Sequence, residues 1–396
     1  MAEWKRVRLG DVADYVREKS PCAVATPTNY ISTENMLPNK GGVVESSALP
    51  LIGSITAFKV GDILLSNIRP YFKKIWQANK SGFSSNDVLV IRANEHVASM
   101  YLFSVLSSDA FFEFVMAGAK GTKMPRGDKQ QILEYHISLP PLATQRKIAA
   151  VLGAIDDKIE TNRKICANLE AQAQALFKSW FVDFEPFGGK MPKGWKMGKL
   201  GDEIAYQEGP GIRNWQYVEK DGTRFINIRC INDGEITTDT ANMISNDEAN
   251  GKYAHFMLKE NDIVMSCSGT LGRYAVVRKC HLPLCLNTSV IRFYPKRDHY
   301  DFSWILGYLG SADFLEQQKA MANGSCQVNF GPTHLKQMQI VIPEEAVRKR
   351  YHEIVYPLIC QAMCCKDESR ALAAMRDALL PKLMSGEIDV SKVEVA

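Results

Sequence analysis

Between Gln145 and Phe184 the apolar residues fall into two interleaved heptad strings. Ile148, Ile155, Asn162, Leu169 and Leu176 form one, and Leu152, Ile159, Cys166, Ala173 and Trp180 form the other. Alternating three-four spacing is the pattern of a helix that buries a seam against another helix. The stretch holds one glycine, Gly153, and no proline. A second string runs in the same phase 203 residues later: Tyr351, Leu358, Cys365, Leu372 and Leu379, with Val355, Ala362, Ser369, Arg376 and Leu383. Two long helices are therefore predicted. Arg376 is expected to snorkel out of its seam, and Pro357 to kink or restart the second helix. Asn162 is the polar interruption of the first seam and is expected to fix register.

Each helix follows a region of mixed pattern. In the first, Phe58–Ser66 and Asp87–Arg92 are apolar, β-branched and bounded by turn formers, so both predict strands. Met100–Val115 spaces its apolar residues as a helix does. Leu139-Pro140-Pro141-Leu142 then breaks the chain, and Thr144 is placed to cap the helix that follows. Glu185–Gly194, with two prolines and three glycines, reads as a linker.

The chain is written twice. Trp4-Lys5 … Leu9-Gly10-Asp11 returns as Trp195-Lys196 … Leu200-Gly201-Asp202 at an offset of 191. Asp62-Ile63 and Ile91-Arg92 return 200 residues on, and Ile137-Ser138-Leu139-Pro140 returns as Ile340-Val341-Ile342-Pro343 at 203. The offset only grows, so the second copy carries small insertions. A repeat this long means two domains with two linking elements, not a solenoid of short units. The fold expected is α+β: two mixed α/β domains separated by a pair of long antiparallel coiled-coil helices, in a pseudo-twofold internal repeat. The boundaries expected are 1–142 for the first domain, 143–184 for the central helix, 185–194 for the linker, 195–343 for the second domain, 344–386 for the distal helix and 387–396 for a tail. The competing arrangement packs each helix on its own domain as a surface helix.

Bulk properties narrow the function. Hydrophobic residues make up 46% of the 396 and charged residues 23%, which excludes a disordered or membrane-embedded chain. No run of 18 apolar residues is present and the N-terminus lacks a signal-peptide pattern, so no membrane partner is expected. Ten cysteines without a secretory signal suggest reduced thiols in the cytoplasm. Catalytic signatures are missing: there is no phosphate loop, no Gly-x-Ser-x-Gly elbow and no His-Glu-x-x-His. No proline follows Asn or Asp, which removes the Asn/Asp-Pro-Pro-aromatic loop of amino-methyltransferases. Cys280-His281 … Cys285, with Cys267 nearby, has metal-binding residue types but irregular spacing and no counterpart in the first copy. No catalytic residue, metal or cofactor is expected.

Basic residues, by contrast, gather beside polar and aromatic ones. Ser66-Asn67-Ile68-Arg69-Pro70-Tyr71-Phe72-Lys73-Lys74 follows a strand, and Ser266-Cys267-Ser268-Gly269-Thr270-Leu271-Gly272-Arg273-Tyr274 answers it in the second copy. From Met265 to Arg297 there are six basic residues and no acid. A second loop pair matches, Lys120-Gly121-Thr122-Lys123-Met124-Pro125-Arg126 with Asn323-Gly324-Ser325-Cys326-Gln327-Val328-Asn329. Lys and Arg neutralise phosphates, whereas Arg, Asn and Gln read base edges. The DNA-binding candidates are Asn67, Arg69, Tyr71, Lys73, Lys74, Lys120, Thr122, Lys123 and Arg126 in the first copy. In the second they are Ser268, Thr270, Arg273, Arg278, Lys279, Ser325, Gln327 and Asn329.

The sequence resembles the DNA-specificity subunits of type I restriction–modification enzymes. The resemblance rests on Leu139-Pro140-Pro141-Leu142-Ala143-Thr144-Gln145-Arg146-Lys147-Ile148-Ala149, Ile155-Asp156-Asp157-Lys158-Ile159, and Leu176-Phe177-Lys178-Ser179-Trp180-Phe181-Val182-Asp183-Phe184. Leu379-Leu380-Pro381-Lys382-Leu383-Met384-Ser385-Gly386-Glu387-Ile388 and the two Trp … Leu-Gly-Asp openings add to it. It implies two target-recognition domains, each reading half of a split, asymmetric site in double-stranded DNA. It also implies a helical spacer, two methyltransferase subunits that methylate adenine N6, and restriction subunits that translocate DNA. Thr144-Gln145 stands where the family usually has Glu-Gln, and Ala346-Val347-Arg348 opens the second helix. Two other readings remain open on the residues alone: a scaffold that binds only protein, and a DNA-modifying enzyme with an unfamiliar active site.

Overall fold

The computed structural model describes residues 4–121, 123–232, 234–268, 271–321 and 330–393. The chain divides into two compact units, Met1–Thr161 with Ser369–Ala396, and Asn162–Glu368. Each unit thus holds one half of each long helix.

The two units share a plan. A two-stranded antiparallel clasp pairs Lys5–Arg8 with His136–Leu139, and in the other unit Lys196–Lys199 with Gln339–Ile342. A four-stranded sheet follows in each. Its order is Ala13–Tyr15, Val88–Ala93, Ile63–Ser66, Ile75–Gln77 in the first unit. In the second it is Ile204–Glu208, Val290–Pro295, Ile263–Ser266, Tyr274–Val276. The central strands Ile63–Ser66 and Ile263–Ser266 are buried throughout, as their unbroken apolar runs require.

The duplication extends to single hydrogen bonds. Asp62 accepts from the Lys59 amide at 2.9 Å and pairs with Arg92 at 2.7 Å; Asp262 accepts from the Lys259 amide at 2.7 Å and pairs with Arg292 at 3.3 Å. The Lys59–Asp62 turn, with Gly61 at φ +90°, explains why Phe58–Ser66 is not one strand. It is two, Ser54–Phe58 and Ile63–Ser66, in different sheets. Likewise Met100–Val115 is two helices, Ser99–Leu106 and Asp109–Ala117. Ser108 caps the second by accepting from the Phe111 amide at 3.2 Å, and Ser311 does the same for Phe314.

The second sheet of each unit departs from the plan. Both contain one parallel pair, Tyr30–Ile31 with Gly82–Ser84 and Gly222–Ile226 with Leu284–Leu286. In the first unit Ser54–Phe58 adds beside Gly82–Ser84; in the second Asn242–Ser245 adds beside Gly222–Ile226. The extra strands therefore extend the shared pair from opposite edges.

The long helices are Leu142–Phe181 and Glu345–Met384, 40 residues each, or about 60 Å at 1.5 Å per residue. In the first unit Ile148 and Leu152 share a core with Leu380 and Leu383. In the second, Phe177 and Phe181 pack with Trp195, Tyr351 and Val355. Within each unit the two segments run antiparallel. Asp156 pairs with Arg376 at 2.7 Å in the first; Cys166 meets the Ala362 carbonyl, and Tyr351 the Ala173 carbonyl, in the second. Every seam residue named from sequence is buried or half-buried, including Ile155, Ile159, Leu169, Leu176, Trp180, Leu358, Leu372 and Leu379.

Three expectations about these helices are corrected. The central helix begins at Leu142, before Thr144, because the Pro141 carbonyl already accepts from Gln145. Arg376 does not leave the seam: Asp156 and Asp377 neutralise it there, so burial carries no lone charge. The distal helix runs unbroken through Pro357. Pro357 is exposed, so water can satisfy the carbonyl that a proline leaves unbonded. Among the described residues no single helix is long and apolar enough to cross a membrane.

Candidate nucleic-acid interface

In the first unit the two loops singled out from sequence meet. The Arg69 amide donates to the Pro125 carbonyl at 2.8 Å, and the Gly127 amide to the Asn67 carbonyl at 3.2 Å. Ile68 and Lys120 each form a β-bridge with Arg126. Asp87 ties both loops down. Its carbonyl accepts from the Asn67 amide at 2.9 Å, and its carboxylate pairs with Arg126 at 3.2 Å.

The loop that follows Ser66 is tightly wound. Arg69 and Lys73 both have left-handed backbones, φ 49° and 50°, around the turn Pro70–Phe72. Non-glycine residues adopt that region at a cost, and such strain gathers at functional sites. A neighbouring hairpin absorbs the turn: the Asn39 and Lys40 amides donate to the carbonyls of Phe72 and Lys73 at 2.8 and 2.9 Å. Tyr71 and Phe72 are left exposed, with their rings in contact. The Arg69 Nε is buried without a partner among the described residues.

The cations differ in what they can offer. Lys123 is exposed. Lys73 shares Asp109 with Lys40, at 3.0 and 3.3 Å. Lys120 pairs with Asp128 at 2.7 Å, with its own side chain mostly in solvent. Lys74 turns inward, donating to the Thr33 carbonyl at 2.6 Å, and burial pushes its pKa down. Asn67 is buried under Gly127, where a Cβ would sit 3.0 Å from its Oδ1. Asn67 and Lys74 thus build the platform rather than present a polar tip.

The second unit repeats the platform. The Phe330 amide donates to the Cys267 carbonyl at 2.8 Å, the counterpart of Gly127 to Asn67. The Cys267 amide donates to the Ser289 carbonyl at 3.0 Å, the counterpart of Asn67 to Asp87. Ser268 lies half-buried beside it, while Arg273 and Lys279 are exposed; Arg273 reaches Asn232 at 3.3 Å. Thr122, Thr270, Ser325, Gln327 and Asn329 lie outside the described residues.

Arg278 is a correction. Its side chain is 5% exposed and bound by Glu235 at 2.7 Å and Asp367 at 2.8 Å, with the His281 ring alongside. A buried guanidinium already neutralised by two carboxylates is poorly placed to pair with a phosphate. Burial alone would raise the Glu235 carboxyl, but the His281 hydrogen bond and the Arg278 charge hold it at about 2. His281 is spent on Glu235 at 2.9 Å, and no cluster of metal-binding type occurs among the described residues.

The sequence reading passed over three features of these rims. Asp87, the latch of the first platform, carries a charge opposite to the one sought. Leu51 and Ile52 are 93% and 90% exposed, and Trp215 is 80% exposed. Pro50-Leu51-Ile52-Gly53 and Gly209-Pro210-Gly211 carry the turn signals that could have marked them.

Both units are α/β, and in each a buried strand ends in a loop held by the same pair of backbone bonds, Asn67 with Gly127 and Asp87, and Cys267 with Phe330 and Ser289. The chain belongs to the family described as the type I restriction modification DNA specificity domain, which matches residues 1–171 and 192–359. It is 26% identical over 364 residues to the type I restriction enzyme MjaIX specificity subunit of Methanocaldococcus jannaschii, covering 86% of this chain and 80% of that one. It is 24% identical to the HindI specificity subunit of Haemophilus influenzae, over 98% of this chain and all of the relative. In fold it is similar to the S subunit of a type I restriction–modification system from M. genitalium, with a TM-score of 0.58 at 15% identity over 96% of each chain.

Proposed function

We propose that this chain is the DNA-recognition subunit of a cytoplasmic type I restriction–modification complex, and that it carries no catalysis of its own. Residues 1–142 and 195–343 act as target-recognition domains, each reading one half of a split, asymmetric site. Residues 143–184 and 344–386 act as the spacer that sets the unread gap. Two methyltransferase subunits, which supply S-adenosylmethionine chemistry at adenine N6, and translocating restriction subunits complete the assembly.

One observation carries the reading. The same backbone platform, Asn67 with Gly127 and Cys267 with Phe330, is built twice while the side chains mounted on it differ. A repeated scaffold with divergent tips suits two unlike half-sites. Lys73, Lys120, Lys123, Arg126, Arg69 and Tyr71 in one unit, and Ser268, Arg273 and Lys279 in the other, are the described residues assigned to the duplex. Thr122, Thr270, Ser325, Gln327 and Asn329 are assigned with them from the sequence.

The test is a genome-wide map of N6-methyladenine in cells carrying the chain with its methyltransferase subunits. A two-part motif with a fixed gap is expected. Four residues inserted after Cys166, with four more after Gln361, next to the Ala362 that Cys166 meets, keep the antiparallel seam matched and add about 6 Å. That is close to two base-pair steps of about 3.4 Å each. The gap should lengthen while both half-sites stay the same. Altered half-sites, or methyl transfer by the purified chain alone, would refute the proposal.

A further inference from the structure

Each unit leaves a bare apolar tip beside its loop platform. In the first unit the loop 47–53 is pinned at both ends. Before it, the Ser46 amide donates to the Pro27 carbonyl at 2.9 Å; at its end, the Gly53 carbonyl accepts from the Cys22 amide at 3.2 Å. Between these ties Leu51 and Ile52 stand almost wholly in water, 93% and 90% exposed. The next residue, Ser54, accepts from Asn86 Nδ2 at 3.1 Å, and Asn86 adjoins Asp87, the latch of both platform loops.

In the second unit Trp215 sits on the short turn Asn214–Gln216. Its neighbour Gln216 is buried and anchored to Glu248 at 2.9 Å and Tyr253 at 3.1 Å, while the indole is 80% exposed. The loop leading to that turn is fixed by a bond from the Thr288 amide to the Pro210 carbonyl at 3.2 Å. Thr288 adjoins Ser289, which holds the Cys267 platform. The two tips differ in sequence and in supporting strands, yet each is tied to the residue just before the platform latch. Such large apolar side chains give the fold nothing while they stay in water; they gain only when something covers them.

We propose that Leu51 with Ile52, and Trp215, are apolar wedges that enter the duplex and unstack a base step, one in each half-site. This rests on the DNA-reading function proposed above. Leu and Ile are side-chain types that wedge between base pairs from a groove, and an indole stacks on an exposed base face. Position beside the platform favours DNA as the cover over a protein subunit. Arg213 and Asn214, exposed next to Trp215, add donors suited to phosphate and base edges. Wedges of this kind select deformable steps, so they extend recognition to positions that no hydrogen bond reads.

The experiment uses the full chain without a methyltransferase, so that base flipping by a partner does not contribute. Duplexes bound by the chain are selected from a randomised pool, and permanganate then marks unstacked thymines in them. One reactive step per half-site is expected. Leu51→Ser with Ile52→Ser should abolish it in one half only, and Trp215→Ser in the other only, while Trp215→Phe retains it. Affinity should fall about tenfold in each Ser variant with the salt slope unchanged, because no phosphate contact is lost. The altered side chains already lie in solvent, so melting temperatures should not move. Wild-type reactivity that persists in the variants overturns the wedge, as does its absence from the wild type. Loss of methyltransferase assembly in the variants with unstacking intact would assign the tips to a protein partner instead. If the wild type shows no salt-dependent duplex binding, the DNA-reading function falls as well; if it selects two half-sites and the variants match it, only the wedge falls.

Discussion

Asn162 donates its side-chain amide to the Cys365 carbonyl at 3.4 Å, and these two residues occupy equivalent positions in the two repeats, 203 apart. In an antiparallel pair of like helices, residues meet their own counterparts only where the pairing is centred. The same amide reaches the Glu368 carboxylate at 2.7 Å, while the Asn162 Oδ1 stays buried without a partner among the described residues. A polar pair at the midpoint fixes which residues face each other along both arms.

Replacing Asn162 with Ala should therefore cost about 1–3 kcal/mol, the range for losing a buried bond to a charged partner. Asn162→Leu should recover that loss or exceed it, because an apolar seam position packs without the orphaned oxygen. Equilibrium denaturation of the full chain measures both. Equal destabilisation by the two variants would mean that Asn162 matters for its bonds and that apolar packing does not replace them.

Arg278 and Lys123 should behave oppositely. Arg278→Ala leaves Glu235 and Asp367 facing each other without their cation, and a loss of about 3–5 kcal/mol is expected. Lys123→Ala should leave stability unchanged and lower the salt slope of DNA binding by about 1. Denaturation curves and binding isotherms at several salt concentrations separate the two. A stable Arg278→Ala protein with weakened DNA binding would return Arg278 to the interface.

Asp87→Asn removes the carboxylate from Arg126 but keeps the carbonyl that holds Asn67. The ion pair lies at the surface, so stability should change by no more than about 1 kcal/mol. Freed Arg126 should strengthen binding to arbitrary duplexes and raise the salt slope by about 1, while the margin between specific and random sequence narrows. Competition binding with random DNA checks this. Unchanged discrimination would mean that Arg126 does not need its latch.

Glu235 sets an acid limit for the second unit. Its carboxyl ionises near 2 in the folded chain, well below its ordinary range, because the His281 and Arg278 contacts outweigh burial. A depressed folded value contributes stability that is full above about 4.5 and is lost as pH falls towards 2. The side chain is 29% exposed, so about 2 kcal/mol is expected after solvent screening. Asp301 works the other way. Burial raises it to about 6, against the opposing charge of Arg348, so its ionisation removes stability as pH rises from about 4 to 6. Glu235→Gln should flatten the acid limb below pH 4.5, as read from denaturation midpoints against pH, and leave the Asp301 limb in place.

The heptad strings were legible because a helix seam imposes a strict period on adjacent residues. Ile148 through Trp180 and Val355 through Leu383 needed no knowledge of their partners to be placed in it. The repeat was equally legible, since Leu9-Gly10-Asp11 and Leu200-Gly201-Asp202 fill the same turn in two copies. Local chemistry was read less well where short signals competed. The Ser107-Ser108 helix break and the Gly61 turn each hide inside apolar runs whose periodicity continues across them.

What the sequence alone determined is thus the periodic and the duplicated: two long helices, two like units and the loops that divide them. Tertiary structure decided which charges those loops can spend. Arg278 and Lys74 are as basic as Lys123 in a string of letters, but Glu235, Asp367 and the Thr33 carbonyl come from distant segments and consume them. The same holds for Leu51, Ile52 and Trp215. Whether an apolar side chain is core or bare tip depends on what the rest of the chain brings to cover it, and no local pattern encodes that.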